Sequence, residues 1–338
     1  MNTISELQAT IAKLTARGKG LLAADESVAT ITKRLASVGV ESTEETRRTY
    51  RDLLLTAPKL NTYISGVILF EETLNQSTLA GMPFPEFLEE NHIVPGIKVD
   101  KGLVAVSSTN EEQVTQGLDG LAERLKKYKA QGARFAKWRA VYQVGEHTPC
   151  KLVNSFNAIG LARYAQLCQD NGIVPIVEPE ILIDGDHTIE QCEKVSEKVL
   201  HTVFKALRKY GVKLEYMILK PSMVISGKKC ATQATVAQVA EATLRVLKCT
   251  VPAAVPSINF LSGGQTPVQA TEHLQAMNAH NHLPWHLSFS YARALQEPCM
   301  DAWKGKADNV KAAQAIFLHR ATLNHLATMG KYTGEEAV

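Results

Sequence analysis

The stretches VPIVEPEIL (residues 174–182) and EYMILKP (residues 215–221) decide the fold of this chain. Each is a short, mostly apolar run, which is typical of a strand that is covered on both faces. Between them, Thr188 followed by Gln191 predicts a capping box at the start of a long helix, and Gly211 predicts its end. Strand, helix and strand in this order predict a β-α-β unit with parallel strands.

The same alternation continues outward in both directions and gives eight predicted strands. The other six are residues 20–26, 64–70, 94–100, 134–142, 257–264 and 286–292. Eight β-then-α units predict a closed (β/α)8 TIM barrel of the α/β class, with additional N-terminal and C-terminal helices. A doubly wound sheet is less consistent with the chain, because the first turn, AADESVAT, lacks the glycine-rich fingerprint of that fold. We therefore expect one domain over residues 1–338, with barrel strands from about 20 to 292 and a helical region at about 300–338.

Two further helix starts are predicted from capping residues. Thr266, with Pro267 at the first helical position and Gln269 three residues on, predicts the helix after the seventh strand. Thr109 with Glu112 predicts a capping box before VTQGLDGLAERLKKYKAQG.

Composition excludes several classes of protein. No apolar run approaches the ~18 residues of a membrane span, and a net charge of +3 without long basic runs argues against nucleic-acid binding. The N-terminus lacks the apolar core of a secretory signal, and the six cysteines form no C-x-x-C pair. We therefore expect a cytoplasmic protein with reduced thiols and no membrane partner.

The carboxyl ends of the predicted strands are unusually polar. Barrel enzymes build their sites from these ends. The polar residues are Asp25, Lys98, Lys137, Arg139, Glu178, Glu180, Lys220, Ser262, Ser290 and Arg293. Lys137 and Arg139 are two residues apart, as are Glu178 and Glu180, so each pair projects from one side of its strand. The alternative is that these charges face outward and pair in solvent, but strands covered on both faces leave few such places.

Lys220 is the candidate nucleophile. It lies in MILKPSM, between an apolar strand and a proline, where low polarity and nearby cations favour the neutral amine that attacks a ketone to form an imine. An isolated lysine here could instead reach solvent. Forming the imine also needs a group that donates and takes back a proton, and a carboxyl with a raised pKa suits this role. Glu178 is our candidate, while Asp25 and Glu180 remain open as alternatives.

LSGGQTP predicts a phosphate site after the seventh strand. The adjacent glycines Gly263 and Gly264 allow backbone N–H groups to approach a phosphate, and Arg293 would add a charged partner. A Gly-Gly pair alone is usually just a tight turn. The histidines show no metal-ligand spacing, so we expect no metal and no other cofactor.

These residues resemble the class I fructose-bisphosphate aldolases, and the similarity runs from GKGLLAADES to GKYTGE. The motifs that carry it are LAADES, GVILFEETL, GIKVDKG, QGLDGL, FAKWR, GEHTP, ARYA, GIVPIVEPEIL, DGDH, LKP, FLSGGQ and SFSYARALQ. The resemblance implies a glycolytic and gluconeogenic lyase that forms a Schiff base. It would reversibly cleave fructose 1,6-bisphosphate to dihydroxyacetone phosphate and glyceraldehyde 3-phosphate, and could also act on sedoheptulose 1,7-bisphosphate or fructose 1-phosphate.

The resemblance also implies residue roles. Lys220 would be the imine-forming lysine and Glu178 the main acid and base, Asp25, Lys137 and Glu180 would assist, and Arg139 would keep the site in order. One phosphate would be held by Ser262, Gly263, Gly264, Ser290 and Arg293, with Thr30, Arg34 and Lys98 near the other and Trp138 lining the cleft. The implied partners are a phosphorylated ketose and further copies of the chain in a homotetramer.

The chain departs from the family pattern in three places. Ser222 replaces a common Asn, Ala292 replaces a common Gly, and the sequence ends without the tail tyrosine that serves proton transfer in many members. We expect another group or water to carry that step. The rival functions are a transaldolase-like enzyme acting on a sugar monophosphate and a catalytically silent binding scaffold. A requirement for two phosphates would distinguish the first, and the retained set of charged residues argues against the second.

Overall fold

Eight parallel strands close into a barrel, as the alternation of strands and helices predicted. The structure is a computed structural model that describes residues 3–107, 109, 111–280 and 282–336. The strands in chain order are β1 (Gly20–Ala24), β2 (Ile64–Leu69), β3 (Val94–Lys98), β4 (Leu103–Ala105), β5 (Gln113–Thr115), β6 (Phe135–Tyr142), β7 (Val174–Ile181), β8 (Ile218–Leu219), β9 (Ser257–Phe260) and β10 (His286–Tyr291). Around the barrel the order is β1, β2, β3, β6, β7, β8, β9 and β10, and β10 pairs with β1.

Helices surround the barrel. They are α1 (Thr3–Leu14), α2 (Val28–Ser37), α3 (Glu44–Leu55), α4 (Glu71–Leu74), α5 (Phe84–Glu90), α6 (Leu121–Ala130), α7 (Lys151–Asp170), α8 (Ile189–Lys209), α9 (Val236–Thr250), α10 (Pro267–Asn278), α11 (Arg293–Trp303) and α12 (Val310–Thr328). The capping boxes predicted at Thr188 and Thr266 are confirmed, and they open α8 and α10. Across the described ranges, no helix combines the length and the hydropathy needed to cross a bilayer.

The prediction that a helix starts after Thr109 is wrong. The chain there forms an antiparallel hairpin of β4 and β5, and α6 begins only at Leu121. Gly117 and Gly120 both have positive φ, so the chain turns between β5 and α6 and the helix cannot extend back to Thr109. Glu112 does not cap a local helix; its buried carboxylate instead accepts a hydrogen bond of 3.0 Å from the backbone N–H of Cys150, at the start of α7.

Two apolar clusters hold the barrel. The larger lies between the outside of the barrel and the helices, where the Tyr164 hydroxyl of α7 donates to the carbonyl of Ala136 at 2.6 Å. The smaller lies inside the barrel at its amino-terminal end, where α1 places Leu7 and Leu14 against Phe135. Phe135 fits there because its register partner on the neighbouring strand β3 is Gly96, which has no side chain and leaves room for the ring. The interior of this end is therefore packed and closed.

Strand β8 is much shorter than the predicted run of residues 215–221. Its first residues form a 3₁₀ turn, Leu214–Tyr216, and only Ile218–Leu219 is a regular strand. The backbone N–H of Lys220 still donates to the carbonyl of Val177 at 2.8 Å, so Lys220 remains attached to β7. Pro221 has no N–H and cannot extend the pairing. Lys220 is therefore the last residue here that pairs with β7 through its own backbone N–H, and the Pro221 carbonyl accepts a hydrogen bond of 3.1 Å from Leu261 N–H after β9.

Candidate active site

A cavity of about 690 Å³ opens at the carboxyl ends of the barrel strands. Every site residue predicted from the sequence lines it except Trp138 and Gly264. Those that line it are Asp25, Thr30, Arg34, Lys98, Lys137, Arg139, Glu178, Glu180, Lys220, Ser262, Gly263, Ser290 and Arg293. These residues come from seven of the eight barrel strands or their following loops, and Phe70 and Glu71, after β2, add the eighth.

A continuous chain of charged side chains forms the floor of the cavity. The Lys220 ammonium lies 3.0 Å from Oε1 of Glu178, and Oε2 of Glu178 lies 3.1 Å from Nζ of Lys137. Lys137 in turn lies 2.8 Å from Oδ2 of Asp25. All four residues are buried, with at most 8% of their surface exposed. Two ammonium groups and two carboxylates therefore alternate and neutralise one another away from water.

The electrostatics of Glu178 differ from the raised pKa that we expected. Burial favours the neutral carboxyl, but the charges of Lys137 and Lys220 outweigh it and hold the pKa of Glu178 below its usual range. The same balance of burial against Lys137 and Lys220 lowers the pKa of Asp25. Burial opposes the charge on Lys137, but Asp25 and Glu178 raise its pKa. The resting site thus contains two carboxylates, Glu178 and Asp25.

Arg139 and Glu180 form the next layer towards solvent. Arg139 Nε donates a short hydrogen bond to the Glu180 carboxylate, and the backbone carbonyl of Arg139 accepts one of 2.7 Å from Thr115 of the hairpin. Arg139 lies opposite Glu178 in the register of β6 and β7. The hairpin therefore fixes the strand that supplies both Lys137 and Arg139.

The loop after β9 contains two consecutive glycines with positive φ. Gly263 and Gly264 have φ values of 56° and 86°, which side chains rarely adopt. In the described part of the chain, the buried hydroxyl of Ser290 has no hydrogen-bond partner, and it faces the same cavity. Arg293, the first residue of α11, lies beside this loop. Free donors and positive charge meet here, as phosphate binding requires.

A second group of cations lines the cavity from α2 and β3. Arg34 forms an ion pair with Glu26, whose other oxygen lies 2.7 Å from the buried Arg51. Lys98 forms an ion pair of 2.5 Å with Asp100. Arg34 and Lys98 keep 21% and 16% of their side-chain surface exposed, so both remain accessible from the cavity.

Trp138 does not line the cleft, contrary to our expectation. It alternates with Lys137 and Arg139 along β6 and therefore points to the outside of the barrel, where it is fully buried. Its ring stacks on Tyr164 of α7, with the ring centroids 5.5 Å apart.

Comparison with known proteins gives a consistent result. The family model described as fructose-bisphosphate aldolase class-I matches residues 6–338. A fructose-bisphosphate aldolase of Dictyostelium discoideum is 53% identical, over 98% of this chain and 94% of the relative. The Arabidopsis thaliana protein named cytosolic fructose-bisphosphate aldolase 6 is 54% identical, over 98% of this chain and 92% of the relative. This chain belongs to the class-I fructose-bisphosphate aldolase family.

A solved structure supports the same assignment. The fructose-bisphosphate aldolase of Plasmodium falciparum, solved in a ternary complex with TRAP and a small-molecule inhibitor, superposes with a TM-score of 0.97. It is 51% identical, and the match covers 99% of this chain and 97% of that chain. The expected activity of this aldolase-family chain is the cleavage of fructose 1,6-bisphosphate by a lyase.

The aldolase site contains charged residues that the sequence analysis did not select. Glu26 and Asp100 both line the cavity, and Arg51 lies behind Glu26. Glu26 and Asp100 end two of the predicted strands, so the rule of polar strand ends could have found them. Arg51 lies inside α3 and gave no such signal.

The two departures from the family pattern that the structure describes have simple placements. The Ser222 hydroxyl accepts a hydrogen bond of 2.9 Å from Ile181 N–H and donates one of 3.0 Å to Ile181 C=O, so it secures the end of β7. Ala292 lines the cavity beside Arg293. Among the described residues, no three His, Cys, Asp or Glu side chains group together in a way that could hold a metal ion.

Proposed function

We propose that this aldolase works without a metal or other cofactor, through an imine between Lys220 and the carbonyl carbon of a phosphorylated ketose. The observation that carries the proposal is the buried contact of 3.0 Å between Lys220 and Glu178, at the centre of a cavity with positive charge on both sides. The chain would act as a single (β/α)8 domain.

Glu178 would be the main acid and base of imine formation. It takes a proton from the Lys220 ammonium, and the neutral amine attacks C2 of the ketose. A proton then moves from the attacking nitrogen to the former carbonyl oxygen, which gives the neutral carbinolamine. The loss of that positive charge raises the proton affinity of Glu178, whose remaining cationic contact is Lys137. The protonated Glu178 then supplies the proton that lets the carbinolamine oxygen leave as water. An iminium on Lys220 and a Glu178 carboxylate remain.

The iminium then accepts electrons from the breaking carbon–carbon bond. A carboxylate removes the proton of the C4 hydroxyl, the C3–C4 bond breaks, and its electron pair moves through C3 and C2 to the nitrogen as an enamine. The released aldehyde is glyceraldehyde 3-phosphate. Protonation of the enamine at C3 restores an iminium, and addition of water to it releases dihydroxyacetone phosphate and frees Lys220. Asp25 and Lys137 assist because Lys137 contacts both Asp25 and Glu178. Protonation of either carboxylate therefore changes the proton affinity of the other. Glu180 assists beside them, and Arg139 keeps Glu180 in place.

Two separate clusters would bind the two phosphates. Ser262, Gly263, Gly264, Ser290 and Arg293 hold one, and Thr30, Arg34 and Lys98 lie near the other. A bisphosphate engages both clusters, so fructose 1,6-bisphosphate is the proposed main substrate, with sedoheptulose 1,7-bisphosphate and fructose 1-phosphate as further substrates. A transaldolase-like enzyme acts on a sugar monophosphate and would need only one cluster. Efficient cleavage that requires both phosphates of the substrate would exclude that rival.

The proposed assembly is a homotetramer in the cytoplasm, serving glycolysis and gluconeogenesis. One side of α7 supports self-association, since Leu152, Phe156 and Ile159 recur on one side of the helix with 49%, 49% and 40% of their surface exposed. The cytosolic name of the Arabidopsis relative is consistent with the proposed location.

Borohydride trapping tests the imine. The protein is mixed with dihydroxyacetone phosphate, reduced with borohydride with and without EDTA, and digested for mass mapping. We expect a stable adduct on Lys220 in both samples, and neither adduct nor turnover in Lys220→Ala. A missing adduct together with cleavage that EDTA abolishes would mean a metal-assisted enolate route and would overturn the proposal.

A further inference from the structure

The outer side of the loop Gly263–Gly264 is occupied by two cations that come from different parts of the barrel. A Cβ built on Gly264 would lie 3.0 Å from Nζ of Lys228 and 3.3 Å from a terminal nitrogen of Arg293. Lys228 comes from the loop after β8 and Arg293 from the start of α11. The two positive groups therefore approach the same edge of this turn.

These two charges are weakly neutralised. Among the described residues, Arg293 has no carboxylate within ion-pair distance, and the ion pair of Lys228 is with Asp184 at a loose 3.8 Å. Both members of that pair are open to solvent, with side-chain exposures of 46% for Lys228 and 75% for Asp184. Like charges placed side by side repel, and an anion bound beside both of them removes the repulsion.

The backbone of Lys228 is fixed while its ammonium remains free to move. The N–H of Lys228 donates to Ile183 C=O at 2.9 Å, and that of Gly227 donates to His187 C=O at 2.9 Å. Gly227 can pack here because it has no side chain, since a Cβ would lie 2.5 Å from the carbonyl oxygen of Gly185. The loops after β7 and β8 are thus joined, and Lys228 is held at the mouth of the phosphate loop.

We propose that Lys228 is an additional phosphate-binding residue of the Gly263–Gly264 loop, recruited from Asp184 when a phosphate ester binds. The proposal rests on the proposed function, because it assigns one more contact to the same substrate phosphate. Lys228 does not line the cavity, but its long, exposed side chain can turn towards the cavity by changing rotamer. Its role is in the binding of the dianion, and it takes no part in proton transfer at Lys220.

The test compares Lys228→Ala, Lys228→Arg and the matched control Lys229→Ala. The control removes the exposed neighbouring lysine, whose backbone bond to Gly185 does not need the side chain. For Lys228→Ala we expect the KM for fructose 1,6-bisphosphate to rise about five- to tenfold with a much smaller change in kcat. Lys228→Arg should recover most of the affinity, and Lys229→Ala should match the wild type.

Binding of inorganic phosphate by calorimetry gives a readout that is independent of turnover. We expect Lys228→Ala to weaken it by a similar factor. Equal KM and equal phosphate affinity in Lys228→Ala and wild type would overturn the role of Lys228, even if Lys220 still traps dihydroxyacetone phosphate and the imine mechanism stands. If trapping fails in the wild type, the imine mechanism is lost, while the phosphate titration still decides the role of Lys228.

Discussion

Glu178 is buried between two ammonium groups, so its charge depends on its neighbours more than on the pH of the solvent. Substitution of Glu178 by Gln preserves the shape of the side chain but removes the group that we propose as the proton shuttle. We expect kcat to fall by about 10²- to 10⁴-fold. Rapid-quench borohydride trapping should show slow formation of the adduct on Lys220. Glu190→Gln, on the exposed first turn of α8, is the control, and a Glu178→Gln enzyme with wild-type kcat would exclude this role.

Arg293 is expected to act on binding. Arg293→Ala should weaken the binding of the phosphorylated substrate by about 2 to 3 kcal/mol, because a charge-assisted contact in a partly enclosed site is lost. The measurement is KM for fructose 1,6-bisphosphate, with Arg208→Ala on the exposed side of α8 as the control. A large fall in kcat at unchanged KM would contradict this assignment.

His273 is connected to the Gly263–Gly264 loop through Gln265, and it should make the stability of the protein depend on pH. Burial lowers the pKa of His273 from 6.5 to about 4, and its Nδ1–H donates to Oε1 of Gln265 at 2.6 Å. Gln265 in turn donates to the carbonyl of Ser262 at 3.0 Å. Below pH 6.5 the unfolded chain binds a proton that the folded protein excludes. The free energy of unfolding therefore falls as the pH drops from about 6.5 to about 4, and this contribution is constant below that range.

The predicted loss from this one group is about 3 kcal/mol. Urea denaturation at several pH values measures the free energy of unfolding. This free energy should depend less steeply on pH in His273→Gln than in the wild type, while the exposed His280→Gln should follow the wild type. Identical slopes in all three proteins would show that His273 does not titrate in this way.

At the scale of elements, the hairpin of β4 and β5 shows where the sequence was insufficient. The capping boxes of α8 and α10 were predictable because each depends on residues three positions apart. The role of Glu112 was not, because its partner, the backbone N–H of Cys150, lies 38 residues away and only the folded chain brings it close. The same distinction between local signals and contacts of distant residues applies to the site. Strand ends identified most of the predicted residues that line the cavity, while Thr30 and Arg34 of α2 followed only from the family resemblance. The ion pairs that set the charge of Glu178 depend on contacts between strands.

Glu112 should therefore contribute to stability through α7. Glu112→Ala leaves the Cys150 N–H buried without its acceptor and removes a negative charge from a helix start. We expect a loss of about 1 to 2 kcal/mol in the free energy of unfolding. Chemical denaturation measures this loss, with Glu123→Ala on the exposed side of α6 as the control. Equal losses in the two variants would mean that the contact with α7 contributes nothing.

At the scale of the whole molecule, the exposed apolar side of α7 predicts self-association. Phe156→Asp should shift the protein from the proposed tetramer to smaller species, because a carboxylate in an apolar contact is costly to desolvate. Light scattering coupled to size-exclusion chromatography measures the mass, and Ala237→Asp on the exposed start of α9 controls for added charge. A Phe156→Asp protein with the mass of the wild type would place any interface elsewhere.

The pairing of β1 with β10 connects Leu21 to Ser290, so the two ends of the barrel sequence meet only when the ring closes. Asp25 follows β1 and Arg293 follows β10, and both line the same cavity. During translation, β1 leaves the ribosome long before β10, one of its two neighbours in the barrel, has been synthesised. A nascent chain that lacks β10 therefore has a lysine at position 220 but no enclosed pocket around it, and its activity should begin only after the last strand has been synthesised and has docked.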